Sequence, residues 1–260
     1  MPRPLTAMSR RIHRQSAREA IYGADFAPVY DQLFASLNTS QALDTLLPLA
    51  RQRGGRVLEL AAGTGRLAIG LAMAGCEVVG LDISQEMLAV LQAKYSGRNL
   101  RVVRGDMAHP ERLGLGQFGL ILLAFNGIFH LLTNQRQRSC IQGAAQLLRP
   151  GGLLVIETSA PGGVMPARRC DVRLNVRGTS TVSMVLRLRD AEAARVRGWH
   201  AEITRRSLRV LRYRQRYLPL GSLDRFAAEA RLVLRHRWSD WACRPWDDTA
   251  AWAITIYQTR

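Results

Sequence analysis

The chain has 260 residues, 47% of them hydrophobic, and a formal net charge of +17. This length suits one α/β domain with a well-buried core, and no apolar run of about 18 residues predicts a membrane-spanning helix. The four cysteines lie far apart without a CxxC pair, so we expect a reduced, cytoplasmic protein with no disulfide and no metal. Lys94 is the only lysine. We therefore attribute the charge to coding bias, with an anionic partner as the alternative.

The N-terminal region divides into two parts. Residues 1–20 are rich in arginine, and we expect them to form a flexible arm ahead of a single domain over residues 21–260. The segment from Ile21 to Leu49 is predicted to form two helices that carry aromatic side chains.

The first strand leads into a glycine-containing turn. An apolar strand that contains Glu59 runs into Gly63 and Gly65, and an apolar helix from Leu67 to Ala74 follows. Glycine is needed where the backbone passes close to a ligand or takes a positive φ. Glu59 lies near the carboxyl end of its strand, where ligands bind in open α/β sheets. An anion at this helix N-terminus suits a ligand with a positive amino group better than a pyrophosphate. The turn therefore predicts a nucleoside cofactor that carries an amino acid.

Two further strands also end in acidic residues. Asp82 ends the strand that begins at Glu77, and Asp106 follows the strand that begins at Arg101. An acid at the second position can accept hydrogen bonds from ribose hydroxyls, and one at the third can accept from an exocyclic amine. Each acid alone could instead be a helix N-cap. Their spacing, one βα unit apart, favours a common binding site.

The remaining elements change character past the middle of the chain. Strands and helices alternate from Arg56 to Thr158, which predicts a parallel sheet with helices on both faces. Pro150–Gly152 is predicted to end a helix and to start the next strand. Residues 170–217 alternate polar and apolar positions, as half-exposed antiparallel strands do. A helix over Ser222–Ala230 and a last strand over Ala253–Gln258 complete the prediction.

Several segments together resemble the class I S-adenosylmethionine-dependent methyltransferases. The matching segments, in order and with the expected spacing, are Val57–Gly65, Gly80–Ser84, Arg104–Met107, Phe118–Ile121 and Leu148–Glu157. The resemblance covers about residues 20–160. It implies an α/β fold with a Rossmann-like doubly wound seven-stranded sheet. It also implies that residues 165–220 form an antiparallel β insertion that covers the substrate.

The resemblance implies a cofactor and the residues that hold it. The cofactor would be S-adenosyl-L-methionine, with S-adenosyl-L-homocysteine as product and no metal. Glu59 and the backbone of the glycine turn would hold the methionine part, Asp82 the ribose and Asp106 the adenine amine, while Phe125 would border the methyl-transfer site. The full implied set is Glu59, Ala61, Gly63, Gly65, Asp82, Ile83, Asp106, Met107 and Phe125.

The segment after the fourth strand carries the catalytic candidate. Phe125–Leu131 resembles the FSSIGHL segment of sugar-amine N-methyltransferases, and His130 matches its active-site histidine. A histidine with a pKa near ~6.5 can accept a proton at physiological pH, although a helix-start histidine can also be purely structural. Tyr30 is the second catalytic candidate, as a hydroxyl that orients the acceptor, with simple packing as its alternative. The predicted substrate contacts are Tyr22, Asn126 and Phe129.

Together these features predict an enzyme that methylates a small molecule or short peptide at an amino group, in bacterial specialised metabolism. O-methylation of a small molecule is the main alternative. RNA methylation is a second one, because the basic charge could hold phosphates. A cofactor-binding module without catalysis is a third. Beyond the acceptor we expect no membrane partner and no nucleic acid, and a homodimer is left open.

Overall fold

The computed structural model describes residues 22–160, 168–177, 181–190, 195–204 and 208–260. The predicted flexible arm, residues 1–20, lies outside these. The aromatic N-terminal segment forms three helical pieces where two were predicted: α1 (residues 22–26), α2 (Tyr30–Leu33) and α3 (Thr39–Gln52). α3 begins where the Asn38 side chain accepts a hydrogen bond from the N–H of Gln41 at 3.1 Å, the usual N-cap arrangement.

The main sheet has seven strands in the order β10-β11-β5-β4-β1-β2-β3. Strands β1 to β5 run parallel, whereas β11 is antiparallel to both β5 and β10. The strands are β1 (Arg56–Leu60), β2 (Glu77–Asp82), β3 (Leu100–Arg104), β4 (Phe118–Leu123), β5 (Leu148–Ser159), β10 (Leu232–Trp238) and β11 (Trp252–Thr259). This confirms the predicted Rossmann-like seven-stranded fold. The same order brings the carboxyl ends of β1, β2, β4 and β5 to one edge of the sheet.

Helices cover both faces of this sheet, and the alternation of strand residues decides which face each side chain joins. Leu120 and Leu122 of β4 pack in the buried cluster with α3 and α4, whereas Ile121 and Leu123 join the cluster with α6 and α7. The helices are α4 (Ala68–Met73), α5 (Gln85–Lys94), α6 (Asn134–Leu147) and α7 (Leu220–Glu229), with 3₁₀ turns at Pro110–Leu113 and Gly127–His130. In the described part of the chain, no helix has the length and apolar character needed to cross a membrane.

Two local features of the structure differ from the prediction. Pro150–Gly152 does not separate a helix from a strand, because α6 ends at Leu147 and β5 begins at the next residue. The β4–β5 pairing shifts register across this segment, and Gly151 has a φ of +71°, so the glycines form an irregularity inside the strand. Strand β10 was not predicted, since its Arg- and His-containing sequence shows no clean alternation.

A second sheet of four antiparallel strands, in the order β6-β7-β8-β9, follows β5. Its strands are β6 (Arg168–Arg177), β7 (Thr181–Asp190), β8 (Arg195–Thr204) and β9 (Leu208–Arg216). They confirm the antiparallel portion predicted in this half of the chain. On β9, Leu211 is buried in a cluster with Phe26 and Leu33, while Val210 and Arg212 are exposed. The second sheet therefore contacts the N-terminal helical segment through one face of β9.

Candidate cofactor and acceptor site

The turn between β1 and α4 places its backbone in an unusual conformation. Ala61, Gly63 and Gly65 have φ values of +56°, +56° and +85°, a region that strongly favours glycine. A Cβ on Gly65 would lie 2.7 Å from Cγ of Leu91, so this position also lacks room for a side chain. A Cβ on Gly63 would meet no atom within 4 Å. The turn is thus packed on one side and open at Gly63, as a backbone cradle for a ligand requires.

Asp82 ties this turn to the end of β2. Its Oδ2 accepts a hydrogen bond from the N–H of Gly63 and its Oδ1 from the N–H of Ser84, both at 2.9 Å. Burial raises the pKa of Asp82, and these N–H donors oppose the rise. A carboxylate has about four lone-pair sites, and the backbone N–H groups of Gly63, Ser84 and Ile83 do not use all of them, so acceptor capacity is left for the hydroxyls of a ligand. Ile83, the next residue, is partly buried beside them.

Glu59 is buried in the centre of the site with a free acceptor atom. Its side chain is only 4% exposed, and its Oε2 has no hydrogen-bond partner among the described residues. Burial raises its pKa to about 8, against the opposing effects of Arg66 and the N–H of Ala68. A buried carboxylate oxygen without a donor is costly, and an ammonium group would satisfy it. The residues around the turn therefore fit a cofactor with a ribose and an amino acid.

Asp106 lies just beyond β3 and already has protein partners. Arg136 donates to both of its carboxylate oxygens at 3.0 Å, and the N–H of Ala108 donates to Oδ1 at 2.9 Å. Sequence reasoning missed Arg136, which is buried on α6 and carries no signal apart from its position. Met107 packs against the main core cluster. The predicted adenine-binding roles of these two residues stay predictions.

A second left-handed turn follows β4. Phe125 and Asn126 have φ values of +46° and +62°. The N–H of Phe125 donates to Oε2 of Glu157 at 2.7 Å, and the N–H of Asn126 donates to the main-chain oxygen of Glu157 at 3.0 Å. Oδ1 of Asn126 accepts from the N–H of Ser159 at 2.6 Å. The predicted substrate residue Asn126 is thus partly engaged in holding the turn. Glu157 was missed, although an acid near the end of β5 repeats the strand-end signal that identified Asp82.

Aromatic side chains form a wall beside these two turns. The ring of Phe125 stacks on Trp252 at 5.6 Å and meets the edge of Phe34 at 5.2 Å. Phe34 in turn lies 4.7 Å from the ring of Tyr30. The guanidinium carbon of Arg66 is 5.8 Å from the centre of Phe125. We call Tyr30, Phe34, Phe125 and Trp252 the aromatic wall. Burial raises the pKa of Tyr30, so its hydroxyl stays neutral.

His130 lies in a second aromatic group, formed with the N-terminal segment and β9. Its ring centre is 4.5 Å from that of Tyr22, which stacks on Phe26 at 4.3 Å. Nε2 of His130 is 3.3 Å from Nε2 of Gln215, so the amide can donate to the unprotonated ring nitrogen. Burial lowers the pKa of His130 to about 4. The imidazole is therefore neutral at physiological pH.

The structure brings most of the predicted residues together. Burial raises the pKa of Tyr22, and the nearby groups Tyr30, Tyr213 and Asp82 raise it further. The aromatic wall, the group around His130 and the turn between β1 and α4 therefore lie close enough for their ionisable groups to interact. Phe129 is the exception among the predicted substrate contacts. It is 2% exposed and packs in the core, with its ring 5.4 Å from that of Tyr217.

One connection was not anticipated from the sequence. Asp31, on α2, accepts a hydrogen bond from the hydroxyl of Thr64 at 2.6 Å and one from Nζ of Lys94 at 2.7 Å. Thr64 lies between the two glycines of the cofactor turn and is buried. Asp31 thus fastens the helix that carries Tyr30 to the turn.

Comparisons with known proteins agree with this geometry. The family model of the methyltransferase domain matches residues 57–152. A putative methyltransferase of Bacillus subtilis, YqeM, is 33% identical over 133 residues, which are 51% of this chain and 53% of that protein. The cypemycin N-terminal methyltransferase of a Streptomyces species is 27% identical over 143 residues, 55% of this chain and 58% of that protein. The chain thus spans about half the length of these curated relatives.

A solved structure matches a much larger share of the chain. The CcbJ methyltransferase from Streptomyces caelestis superimposes with a TM-score of 0.85 at 30% sequence identity, over 93% of this chain and 98% of that one. The match therefore extends well beyond residues 57–152, which the family model covers. The chain belongs to the S-adenosylmethionine-dependent methyltransferases.

Proposed function

We propose that this chain transfers a methyl group from S-adenosyl-L-methionine to an amino group of a small molecule or short peptide, in bacterial specialised metabolism. The observation that carries the choice of an amine is His130, whose half-buried ring lies 4.5 Å from that of Tyr22 and whose lowered pKa, about 4, keeps it neutral. The relative that modifies the N-terminus of cypemycin supports an amino acceptor.

The cofactor supplies a methyl carbon bonded to a sulfonium, which is an excellent leaving group. The chain contributes binding and alignment. The Oε2 of Glu59 would accept from the ammonium group, and Asp82 would use its remaining lone pairs for the ribose hydroxyls. The open side of Gly63 leaves room for ligand atoms close to the backbone. Holding both reactants in this way is a large part of what such a reaction needs.

The weak basicity of His130 favours a nitrogen atom over an oxygen atom as the methyl acceptor. A hydroxyl must lose its proton as it attacks, and a histidine with a pKa of about 4 is a weak base for that task. A neutral amine already has its lone pair and can lose its proton after transfer. The burial that lowers the pKa of His130 also disfavours an ammonium ion beside it, so a bound amine would be held in its reactive, neutral form.

The aromatic wall supports the same acceptor class. Aromatic faces attract cationic groups, which favours first contact with an ammonium ion. Phe125 and Trp252 present stacked rings for such a contact. Their apolar surface also excludes water from the space next to the reacting atoms.

A matched panel of acceptors tests the proposal. Pairs of compounds that differ only in an amino or a hydroxyl group would be incubated with the enzyme and cofactor, and the products identified by mass spectrometry. We expect N-methyl products. Methyl ethers alone would replace the proposal with O-methylation. Methylated RNA, with binding that weakens steeply as salt rises, would favour the nucleic-acid alternative.

A substitution then tests the role of His130. His130→Gln should lower kcat about tenfold, less than the roughly 10²–10⁴-fold of a strong general base, because only a weakly basic imidazole is lost, while the affinity for S-adenosylhomocysteine measured by calorimetry stays unchanged. His109→Gln is the control, since His109 is a partly exposed residue paired with Glu111. An unchanged kcat in His130→Gln would remove this residue from the mechanism.

A further inference from the structure

The turn after β4 holds two non-glycine residues in the left-handed region, where a bulky side chain such as that of Phe125 is disfavoured. Phe125 and Asn126 are consecutive left-handed residues, with φ values of +46° and +62°, and neither is glycine. Such conformations persist when the surrounding structure holds them in place, and they concentrate at functional sites. The Phe125 ring contacts both Trp252 and Phe34. A change in this turn would therefore move the aromatic wall.

Glu157 supplies most of what holds the turn. Oε2 of its carboxylate accepts from the N–H of Phe125 at 2.7 Å, and its main-chain oxygen accepts from the N–H of Asn126 at 3.0 Å. Arg66 lies 3.9 Å from the same Oε2. The Glu157 side chain is buried, and hydrogen bonds to a buried carboxylate are among the stronger ones in proteins.

The other carboxylate oxygen of Glu157 also accepts a hydrogen bond. Oε1 accepts from Nε1–H of Trp241 at 2.7 Å. Trp241 lies in the connection between β10 and β11, and its main-chain oxygen accepts a hydrogen bond from the Thr45 hydroxyl of α3. Both oxygens thus act only as acceptors, toward donors from two separate parts of the chain. A glutamine at this position would turn one acceptor into a donor and place it against another donor.

We propose that Glu157 is a positioning residue for methyl transfer, whose carboxylate holds the left-handed Phe125–Asn126 turn and thereby the aromatic wall in the geometry that aligns the acceptor. Glu157 does not itself contact the reacting atoms in this role. The proposal rests on the proposed methyl-transfer function and adds a residue to it. It predicts that the turnover rate depends on the hydrogen bonds that the Glu157 carboxylate accepts. The affinity for the cofactor should not depend on them.

Three variants test the acceptor pattern. Glu157→Gln should lower kcat about tenfold, because displacements near 1 Å can cost up to a hundredfold in rate, while the Kd for S-adenosylhomocysteine stays within twofold. Trp241→Phe, which removes one donor, should change kcat less than threefold. The double variant should recover much of the lost rate, since the glutamine NH₂ then faces no donor and its oxygen can still accept from Phe125. A merely structural role would lower the melting temperature of Glu157→Gln but leave the kcat of the folded protein unchanged.

The outcomes separate cleanly. If the wild-type protein methylates no acceptor, the proposed function fails. If the wild type is active and Glu157→Gln has the same kcat, or the double variant is no faster than Glu157→Gln, only the role of Glu157 fails.

A measurement on the wild-type protein covers the case in which Glu157→Gln does not fold. With ¹⁵N-labelled phenylalanine and tryptophan, the Phe125 amide and the Trp241 indole N–H should be shifted downfield and protected from solvent exchange. Rapid exchange at either N–H would overturn the proposal.

Discussion

The proposed cofactor side and the proposed acceptor side of this site are built in different ways. On the cofactor side, backbone groups and strand-end acids from neighbouring βα units make the contacts, as when Asp82 accepts from the N–H groups of Gly63 and Ser84. On the acceptor side, side chains from distant segments meet, as when Phe125 stacks on Trp252. The first side depends on local conformation and the second on packing. Substitutions should therefore affect cofactor affinity and acceptor use separately.

The two sides also differ in the pKa shifts of their ionisable groups. Burial raises the pKa values of Glu59 and Asp82, and N–H groups, together with Arg66 at Glu59, partly offset the cost of their ionised forms. His130 is shifted by burial alone, to a pKa of about 4. The cofactor side is thus prepared for a charged ligand, whereas the acceptor side favours neutral groups.

The largest expected effect lies in the cofactor turn. In Gly65→Ala, the new Cβ would have to share space with Cγ of Leu91 at 2.7 Å while keeping a φ of +85°. We expect the affinity for S-adenosylhomocysteine to fall more than about a hundredfold by calorimetry, since overpacking and a left-handed alanine both distort the turn. Gly75→Ala is the control, because Gly75 has a φ of +90° but no neighbour within 4 Å of its Cβ position. Equal binding losses in both variants would contradict a specific role for the turn.

A substitution on the acceptor side should have the opposite signature. Trp252→Leu removes the ring that stacks on Phe125, and we expect the KM for the acceptor to rise about tenfold, as a lost aromatic contact of ~1.4 kcal/mol implies. Cofactor affinity should stay unchanged. Trp238→Leu is a matched control, because Trp238 is also partly buried but stacks on His236. A loss of cofactor binding in Trp252→Leu would mean that the two sides are not separable.

The raised pKa of Glu59 predicts a proton linked to cofactor binding. With a pKa of about 8, Glu59 is mostly protonated at pH 7 in the ligand-free protein. An ammonium group beside Oε2 favours the ionised form, so binding should release a proton and the affinity should rise several-fold from pH 6 to pH 8. Calorimetry in buffers with different ionisation enthalpies measures this proton. Glu59→Gln should release less, and an identical value in both proteins would argue against the assignment.

The smallest expected effect tests the link between the two sides. Asp31→Ala removes the acceptor of the buried Thr64 hydroxyl, and we expect about a threefold loss of cofactor affinity because that hydroxyl is left unsatisfied. Lys94→Met breaks only the partly exposed ion pair with Asp31 and should change the affinity by less than about twofold. If Lys94→Met has the larger effect in a binding titration, the ion pair and not the Thr64 bond fastens α2.

The sequence was most informative where structure follows from short-range rules. The parallel strands and the helix after the glycine turn were predicted from apolar runs and glycine positions, and the structure confirms them. The acids Glu59 and Asp82 were found because ligands bind at the carboxyl ends of parallel strands. Glu157 follows the same rule and was missed because it lies two residues before the end of a long strand.

Predictions that depended on side-chain direction were less informative. Phe129 was predicted beside the substrate from its place next to His130, but the 3₁₀ turn of Gly127–His130 directs its ring into the core against Tyr217. Conversely, nothing in the sequence marks Trp241 or Gln215 as partners of site residues. Their contacts with Glu157 and His130 join positions 84 and 85 residues apart.

By itself, the sequence determined the cofactor side of this protein: glycines that permit a left-handed turn, and acids at successive strand ends that must converge once the sheet forms. Only the tertiary structure decided the acceptor side, including the aromatic wall, the neutral His130 and the hydrogen bonds that both Glu157 oxygens accept. The reason is physical. Backbone conformation and strand alternation are set by neighbouring residues, whereas burial and long-range contacts exist only after distant segments have packed together.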